Sequence, residues 1–278
     1  VHMWQAGTGQ DTLFSSQGLG HSKLVRMVAW SSDGRIASAS EDGTVEVWDA
    51  ETGNNPFIYN AHRDQVCAVA WSPDGAYVAS AGGNILAEGG DKQQGDTDVH
   101  IWIPATLQDV TYANHAYLVK MVAWSPDGKL IASADISGMV YIWDPITLAT
   151  KHVLPHTAEV GSLAWSPDGQ YLVTGDYDSD DSVRIWDINA ERNVQLFPHS
   201  PDDQVYTVAW SPDGQHIAAG YQSGVVKVWR YDNKGHTGMQ VLTYLGHSKP
   251  VMSVQWSSDS QYIVSGGFDK TVQIWTLS

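Results

Sequence analysis

The sequence predicts an all-β array of six four-stranded sheets, and three observations carry that prediction. The stretch Val69-Ala70-Trp71-Ser72-Pro73-Asp74-Gly75 returns along the chain. Its Ala-Trp-Ser-Pro-Asp-Gly core recurs around Trp124, Trp165 and Trp210, with looser copies at Trp30 and Trp256. The steps between these tryptophans are 41, 53, 41, 45 and 46 residues, a period that marks a stacked or circular repeat. A second set of tryptophans, Trp48, Trp102, Trp143, Trp186, Trp229 and Trp275, keeps the same period independently and leaves only Trp4 of the thirteen. Finally, the apolar residues alternate with period two, and no window carries a convincing helical period.

The first repeat shows why each element forms. Val25-Arg26-Met27-Val28-Ala29-Trp30 is a β-branched and aromatic run, strand a, that stops at Ser31-Ser32-Asp33-Gly34. A polar tetrapeptide ending in Asp-Gly suits a tight turn, because glycine accepts positive φ. Ile36-Ala37-Ser38-Ala39-Ser40 is strand b, and Glu41-Asp42-Gly43 turns the chain again. Thr44-Val45-Glu46-Val47-Trp48 is strand c, and after the turn at Glu51-Thr52-Gly53 the run Pro56-Phe57-Ile58-Tyr59 is strand d. A single four-stranded sheet cannot bury both faces, whereas radially packed sheets do so and leave only short edges.

Bulk composition narrows the function classes. With 15 basic and 31 acidic residues among 278, the net charge is −16. That opposes recruitment by nucleic acid or anionic membrane, which rely on Lys and Arg. Cys67 is the lone cysteine, so no intrachain disulfide forms. No apolar run approaches a membrane span and no signal-peptide pattern appears, giving the expectation of a cytoplasmic, monomeric domain. Residues 1–10 read as a tag remnant or linker, and 1–278 as a single domain with repeat units 21–61, 62–114, 115–155, 156–198, 199–246 and 247–278.

These residues resemble the WD-repeat β-propellers, over essentially the whole chain from about Asp11. Asp follows the strand c Trp at Trp48-Asp49, Trp143-Asp144 and Trp186-Asp187, and Gly-His stands at Gly20-His21 and Gly246-His247. His62, His115, His156 and His199 keep the histidine without the glycine. The uniform repeats are similar to bacterial arrays that accompany signalling domains. The resemblance implies a six-bladed propeller, with the strand at 11–17 joining the last blade to close the ring. A second possibility is that Trp4 with Gly7-Thr8-Gly9 ends another strand c, and that the chain is an excised part of a larger propeller.

The resemblance also assigns a buried tetrad of Gly-His histidine, strand b Ser or Thr, b–c turn Asp and strand c Trp. It is complete in His21, Ser38, Asp42, Trp48 and in His247, Ser265, Asp269, Trp275. His62, Ser80, Asp96, Trp102 and His156, Thr174, Asp180, Trp186 fit across insertions. Ser137 stands where the third unit needs Asp. The fifth unit has Ala219 and Ser223, so its blade is expected to be the least braced.

Function is sought where the repeats diverge, because shared positions are spent on the scaffold. The residue after the first Val of strand a varies most: Arg26, Cys67, Lys120, Gly161, Tyr206 and Met252. The resemblance puts it at a bulge on the top face, where Arg26, Lys120, Tyr206 and Met252 are expected to meet a partner, with Leu24, Leu118 and Phe268 exposed beside them. The insertion at 81–95 and the acidic stretch 176–181 fall on the same rim, and 233–238 extends a c–d connection on the opposite one. Asp176, Asp178 and Asp180 alternate like the start of a calcium loop, but Asp181 stands where its glycine belongs. No Ser-His-Asp, Cys-His or phosphate-cradling pattern stands apart from the repeat. The expectation is a non-catalytic, cofactor-free protein- or peptide-binding scaffold, its partner carrying apolar anchors and some acidic character; the alternative is a propeller hydrolase or metal-dependent enzyme.

Overall fold

The computed structural model describes residues 1–5, 10–13, 20–53, 57–84, 95–177, 183–197, 203–232 and 237–277. A short hairpin, β1 (His2–Gln5) with β2 (Gln10–Leu13), precedes six antiparallel sheets. The first contains β3 (Val25–Trp30), β4 (Arg35–Ser40), β5 (Val45–Asp49) and β6 (Phe57–Tyr59). The second contains β7 (Val66–Trp71), β8 (Val78–Gly82), β9 (Val99–Trp102) and β10 (Asp109–Tyr112). The third contains β11 (Val119–Trp124), β12 (Ile131–Asp135), β13 (Met139–Trp143) and β14 (Thr150–Pro155).

The fourth is β15 (Val160–Trp165), β16 (Tyr171–Asp176), β17 (Val183–Asp187) and β18 (Arg192–Phe197). The fifth is β19 (Val205–Trp210), β20 (His216–Tyr221), β21 (Val226–Asp232) and β22 (Thr237–Tyr244). The sixth has three strands, β23 (Val251–Trp256), β24 (Tyr262–Gly267) and β25 (Val272–Thr276). The fold is the expected all-β, six-bladed β-propeller class, the first five blades following the order a, b, c, d and the sixth the order a, b, c among the described residues. The contacts divide the chain into two compact units: 1–124 with 128–135 and 143–149, and 125–127 with 136–142 and 150–278.

Two expectations about the N-terminus need correction. Residues 1–10 are not merely a linker, because His2–Gln5 forms a strand with Gln10 opposite Gln5 and Leu13 opposite His2. The described part of 11–17, Asp11, Thr12 and Leu13, pairs with β1 and not with the sixth blade, which has three strands among the described residues; 14–17 lie outside them. Trp4 lies within β1, opposite Asp11, and residues 6–9 lie outside the described residues.

The recurrent Trp-Ser-x-Asp turn has a local cause. The serine hydroxyl donates to the carboxylate two residues on, at 2.5–2.7 Å, in all six blades: Ser31–Asp33, Ser72–Asp74, Ser125–Asp127, Ser166–Asp168, Ser211–Asp213 and Ser257–Asp259. The same oxygen accepts a backbone N–H at the start of strand b or beside it, as from Arg35, Tyr77, Tyr171, His216 and Tyr262. A side chain that bonds its own turn in this way fixes the hairpin without tertiary help.

The core lies between neighbouring sheets inside each unit. In the first unit Ala37, Ala39, Val45, Val47 and Tyr59 pack on Val66, Val69, Trp71, Val78 and Trp102 of the next blade. In the second, Val173, Val183, Ile185 and Phe197 pack on Val205, Val208, Trp210 and Trp229. A strand d aromatic stacks on the next blade's strand c Trp: Tyr59 on Trp102 with centroids 4.5 Å apart, Tyr112 on Trp143 at 4.1 Å, and Tyr244 on Trp275 at 4.5 Å. Each of these strand c tryptophans is thus buried against an aromatic ring of the preceding blade.

Candidate functional site

The divergent position of strand a is a β-bulge in every blade. The a–b pairing shifts register between Val25 and Met27, Val66 and Ala68, Val119 and Met121, Val160 and Ser162, Val205 and Thr207, and Val251 and Ser253. The skipped residues are Arg26, Cys67, Lys120, Gly161, Tyr206 and Met252. A bulge leaves one residue out of the ladder and re-aims its side chain, so identity here is released from the requirements of pairing. Beside most bulges the first residue after strand b donates its N–H to the carbonyl just ahead of strand a: Glu41 to Leu24, Gly83 to Gln65, Tyr177 to Glu159, Gln222 to Gln204 and Phe268 to Pro250. Each such blade therefore presents a small cluster from three places in its repeat.

These clusters differ in chemistry. In the first blade Leu24 is exposed and the half-exposed Arg26 guanidinium forms an ion pair with Glu41. In the sixth, Met252 and Phe268 are both exposed and apolar, the latter 59% accessible. In the fourth, an added Cβ on Gly161 would lie 2.5 Å from Cε1 of Tyr177, whose ring meets Tyr206 edge-on at 5.3 Å. Gly161 thus leaves room for an aromatic pair, and Tyr177 joins Tyr206 although its repeat position gave no signal.

Leu118 must be corrected: it is 4% accessible, not exposed. The backbone of Gly83 lies on it, close enough that a Cβ there would sit 3.4 Å from the Leu118 Cβ. Lys120 is half-buried.

Hydrogen bonds join the four residues named for the first, second and sixth blades. His21 Nε2 lies 2.8 Å from Ser38 Oγ and its Nδ1 3.2 Å from Asp42, while Trp48 Nε1 donates to Ser38 at 3.0 Å. The second and sixth blades repeat this with His62, Ser80, Asp96, Trp102 and His247, Ser265, Asp269, Trp275. In the fourth, His156 and Trp186 meet on Thr174, but His156 Nδ1 faces the Leu154 carbonyl, and Asp180 lies outside the described residues, as does His199.

The third blade overturns the assignment of Ser137 to the missing carboxylate. His115 Nδ1 is 2.8 Å from Asp135 and Nε2 2.7 Å from Ser133, to which Trp143 also donates. Asp135 closes strand b two residues after Ser133, where the turn-based alignment did not look for it.

Among the described residues one cluster has metal-ligating side chains in reach of each other: His62, Asp96 and His100, with one ligand atom from each within 4.8 Å of the others. Its donors are engaged in hydrogen bonds. His62 reaches Asp96 and Ser80, and His100 reaches Asp96, Asp109 and the Tyr59 hydroxyl. Burial lowers the His62 pKa despite its Asp96 partner. Burial works against the His100 cation too, but Asp96 and Asp109 outweigh it and raise that pKa. Burial likewise disfavours the Asp96 carboxylate, and the two histidines outweigh it and hold its pKa below the usual range. His62 and His100 share the Asp96 carboxylate, and their surroundings move their pKa values in opposite directions.

Asp176, expected in an acidic loop, is the last residue of β16; it is fully buried and 3.5 Å from the Arg184 guanidinium. Asp178 lies outside the described residues. Asp176 therefore spends its charge on an internal cation. The described residues contain no helix long and apolar enough to cross a membrane.

Comparison with known proteins agrees with the repeat pattern. Residues 120–278, more than half of the chain, match the family model described as WDR19 first beta-propeller, and 14–49 and 53–102 match the WD domain, G-beta repeat. The chain belongs to the WD-repeat β-propellers. It is 36% identical over 115 residues to WD repeat-containing protein slp1 of Schizosaccharomyces pombe, covering 41% of this chain and 22% of that protein. It is 40% identical over 62 residues to a chromatin assembly factor 1 component of Mus musculus, covering 22% and 11% respectively.

The propeller therefore aligns with about a fifth or less of those relatives' lengths. A chain in a crystal structure of a mitotic checkpoint complex shares the fold with a TM-score of 0.84 at 21% identity, covering 99% of this chain and 80% of that one. These relatives are eukaryotic and lend the bacterial likeness no support.

Proposed function

We propose that the propeller is a non-catalytic platform for protein or peptide segments and that binding is concentrated at the bulge clusters. The observation that carries this reading is the coincidence of two independent properties at six equivalent positions. The backbone frees one residue per blade from pairing, and the sequence diverges at that residue. Membership of a family whose relatives include a component of a chromatin assembly factor, and likeness to a chain of a checkpoint complex, support an interaction role.

The preferred partner presents apolar anchors. Met252 and Phe268 offer adaptable and aromatic contact in the second unit, and Leu24 offers apolar area in the first. Arg26 already answers Glu41, so attraction for an acidic partner is weaker than the net count of cations suggests.

The test uses peptides selected from a display library against the 278-residue chain, with binding followed by fluorescence polarisation. M252A/F268A, L24A/R26A and Y206A are compared with the parent. At least one is expected to weaken binding tenfold or more with an unchanged thermal midpoint. Equal affinity in all three would place recognition elsewhere.

A further inference from the structure

His100 is not one of the repeat histidines. It stands two residues before the strand c Trp, at a position the repeat leaves open, with Glu46, Tyr141, Arg184, Lys227 and Gln273 as its equivalents. The ladder fixes where this residue points. Glu46, His100, Arg184, Lys227 and Gln273 pair with the strand b residue at the tetrad position: Ser38, Ser80, Thr174, Ala219 and Ser265. Directly opposed residues share one face of an antiparallel sheet, so the side chain meets the tetrad of its own blade. Glu46 accordingly comes within 3.9 Å of His21, and Gln273 within 3.4 Å of His247. In the second blade the same geometry sets a second imidazole beside His62, with ring centroids 4.1 Å apart.

The two rings converge on one carboxylate. Asp96 Oδ2 lies 2.9 Å from His62 Nδ1, and Asp96 Oδ1 lies 3.4 Å from His100 Nε2. Backbone N–H groups of Arg63 and Asp98 donate to the same two oxygens and hold the carboxylate, leaving each oxygen a lone pair toward a histidine. The outer ring nitrogens are held as well. His62 Nε2 is 2.8 Å from Ser80 Oγ, and His100 Nδ1 is 2.7 Å from the Tyr59 hydroxyl and 3.3 Å from Asp109. Fixing the far nitrogen in this way is what orients an imidazole toward a metal. All of these residues belong to the first compact unit.

The hydrogens of the cluster show what its centre calls for. The Tyr59 hydroxyl donates its single hydrogen to Asp109 Oδ2, 2.7 Å away, so its contact with His100 Nδ1 needs the hydrogen on that nitrogen. Neutral His100 then turns the lone pair of Nε2 toward the Asp96 carboxylate, two acceptors with no hydrogen between them. Asp64, which accepts the Asp96 N–H, and Asp109 add two more carboxylates nearby. A proton on Nε2 fills the gap at lower pH; a divalent ion fills it with three ligand atoms at once.

We propose that His62 Nδ1, His100 Nε2 and the Asp96 carboxylate bind one zinc ion, with Ser80, Asp109 and Tyr59 as the hydrogen-bonded shell behind them. The ligand atoms lie within 4.8 Å of one another, and all three side chains are buried. Two imidazoles and a carboxylate suit zinc, whereas calcium and magnesium take sets of oxygens. Three protein ligands leave one position to water. On binding, His62 carries its hydrogen on Nε2, where Ser80 Oγ accepts it alongside that of Trp102 Nε1.

Zinc affinity is measured on the EDTA-treated 278-residue chain by competition with a chromophoric chelator, alongside H100Q, which copies Gln273 of the sixth blade. The parent is expected to bind one zinc ion per chain at least tenfold more tightly than H100Q, and its thermal midpoint should rise with zinc but not with calcium. H2A, which removes an exposed imidazole, should bind as the parent does. Imidazole nitrogen NMR of the parent gives a readout that needs no variant. Zinc should move the His62 hydrogen from Nδ1 to Nε2 and shift His100 Nε2. If H100Q lowers the midpoint of the metal-free protein, H100Y, matching Tyr141 of the third blade, takes its place. Equal affinity in the His100 variant, loss of binding in H2A, an equal thermal shift from calcium, or unchanged His62 and His100 resonances would each overturn the inference.

Discussion

Replacing Asp135 by alanine isolates what the third tetrad contributes. Asp135 and His115 are both fully buried, and the carboxylate lies 2.8 Å from His115 Nδ1. Removing it leaves a ring nitrogen enclosed with its acceptor gone. A buried polar group left unpaired costs about 1–3 kcal/mol, and hydrogen bonds to charged partners sit in the upper part of that range. The cavity left by a carboxylate is small, so about 2–3 kcal/mol is expected in total. Asp135→Asn keeps an acceptor in place and should cost less than half as much. Ser137→Ala, at the position the repeat alignment assigns to the carboxylate, should cost no more than about 0.5 kcal/mol, the scale of an ordinary surface substitution.

The assay is native-state hydrogen exchange of β11 and β12, which reads opening of that hairpin directly and does not require the two compact units to unfold together. If Ser137→Ala loosened the hairpin as much as Asp135→Ala, the sequence alignment would be right and the geometry wrong.

Other expectations are as direct. Burial first, and the Arg184 charge second, lower His156 to about 4. A histidine neutral in the fold but protonated when unfolded draws stability down as pH falls, so the loss should accumulate between about pH 6.5 and 4 and reach about 3 kcal/mol; urea midpoints across that window, compared with His156→Gln, measure it. His100 runs the other way: its raised pKa contributes most below the unfolded value and loses that contribution as pH rises through the folded one, which NMR titration of its ring should show. Leu118→Ala should cost about 2–3 kcal/mol as a buried truncation while Leu24→Ala changes thermal stability little, a contrast that differential scanning calorimetry resolves. Ser260 holds φ 60° where the five equivalent turn residues are glycines, so Ser260→Gly should stabilise by about 0.5–1 kcal/mol despite losing the bond from Asp213 N–H.

What could be read in the sequence was whatever repeats. Two interlocked tryptophan series gave strands a and c, and the Ser-x-Asp turn lies within five consecutive residues, so both survive translation from chain to structure unchanged. The bulge positions were legible for the opposite reason, because freedom from pairing shows as divergence. The misses are non-local. Leu118 looks like Leu24 in its repeat, but Leu118 is buried and lies against Gly83 of the blade before it. Asp135 looked like a strand residue and is one, and only the geometry of His115 shows that a carboxylate two residues after Ser133 reaches the same nitrogen as one four residues after Ser38. Tyr177 gains its role from the missing Cβ of Gly161.

Repetition also makes exposure informative in a way a single domain does not allow. An exposed valine on a soluble protein needs no explanation, since more than half of an ordinary protein surface is apolar. Met252 and Phe268 are different, because both stand at positions that differ in every repeat, and Met252 is skipped by the a–b pairing. The shared positions of the six blades are committed to turns, hydrogen-bonded tetrads and packing, so an apolar residue exposed where the repeat imposes nothing is the one whose replacement should change binding and leave stability alone.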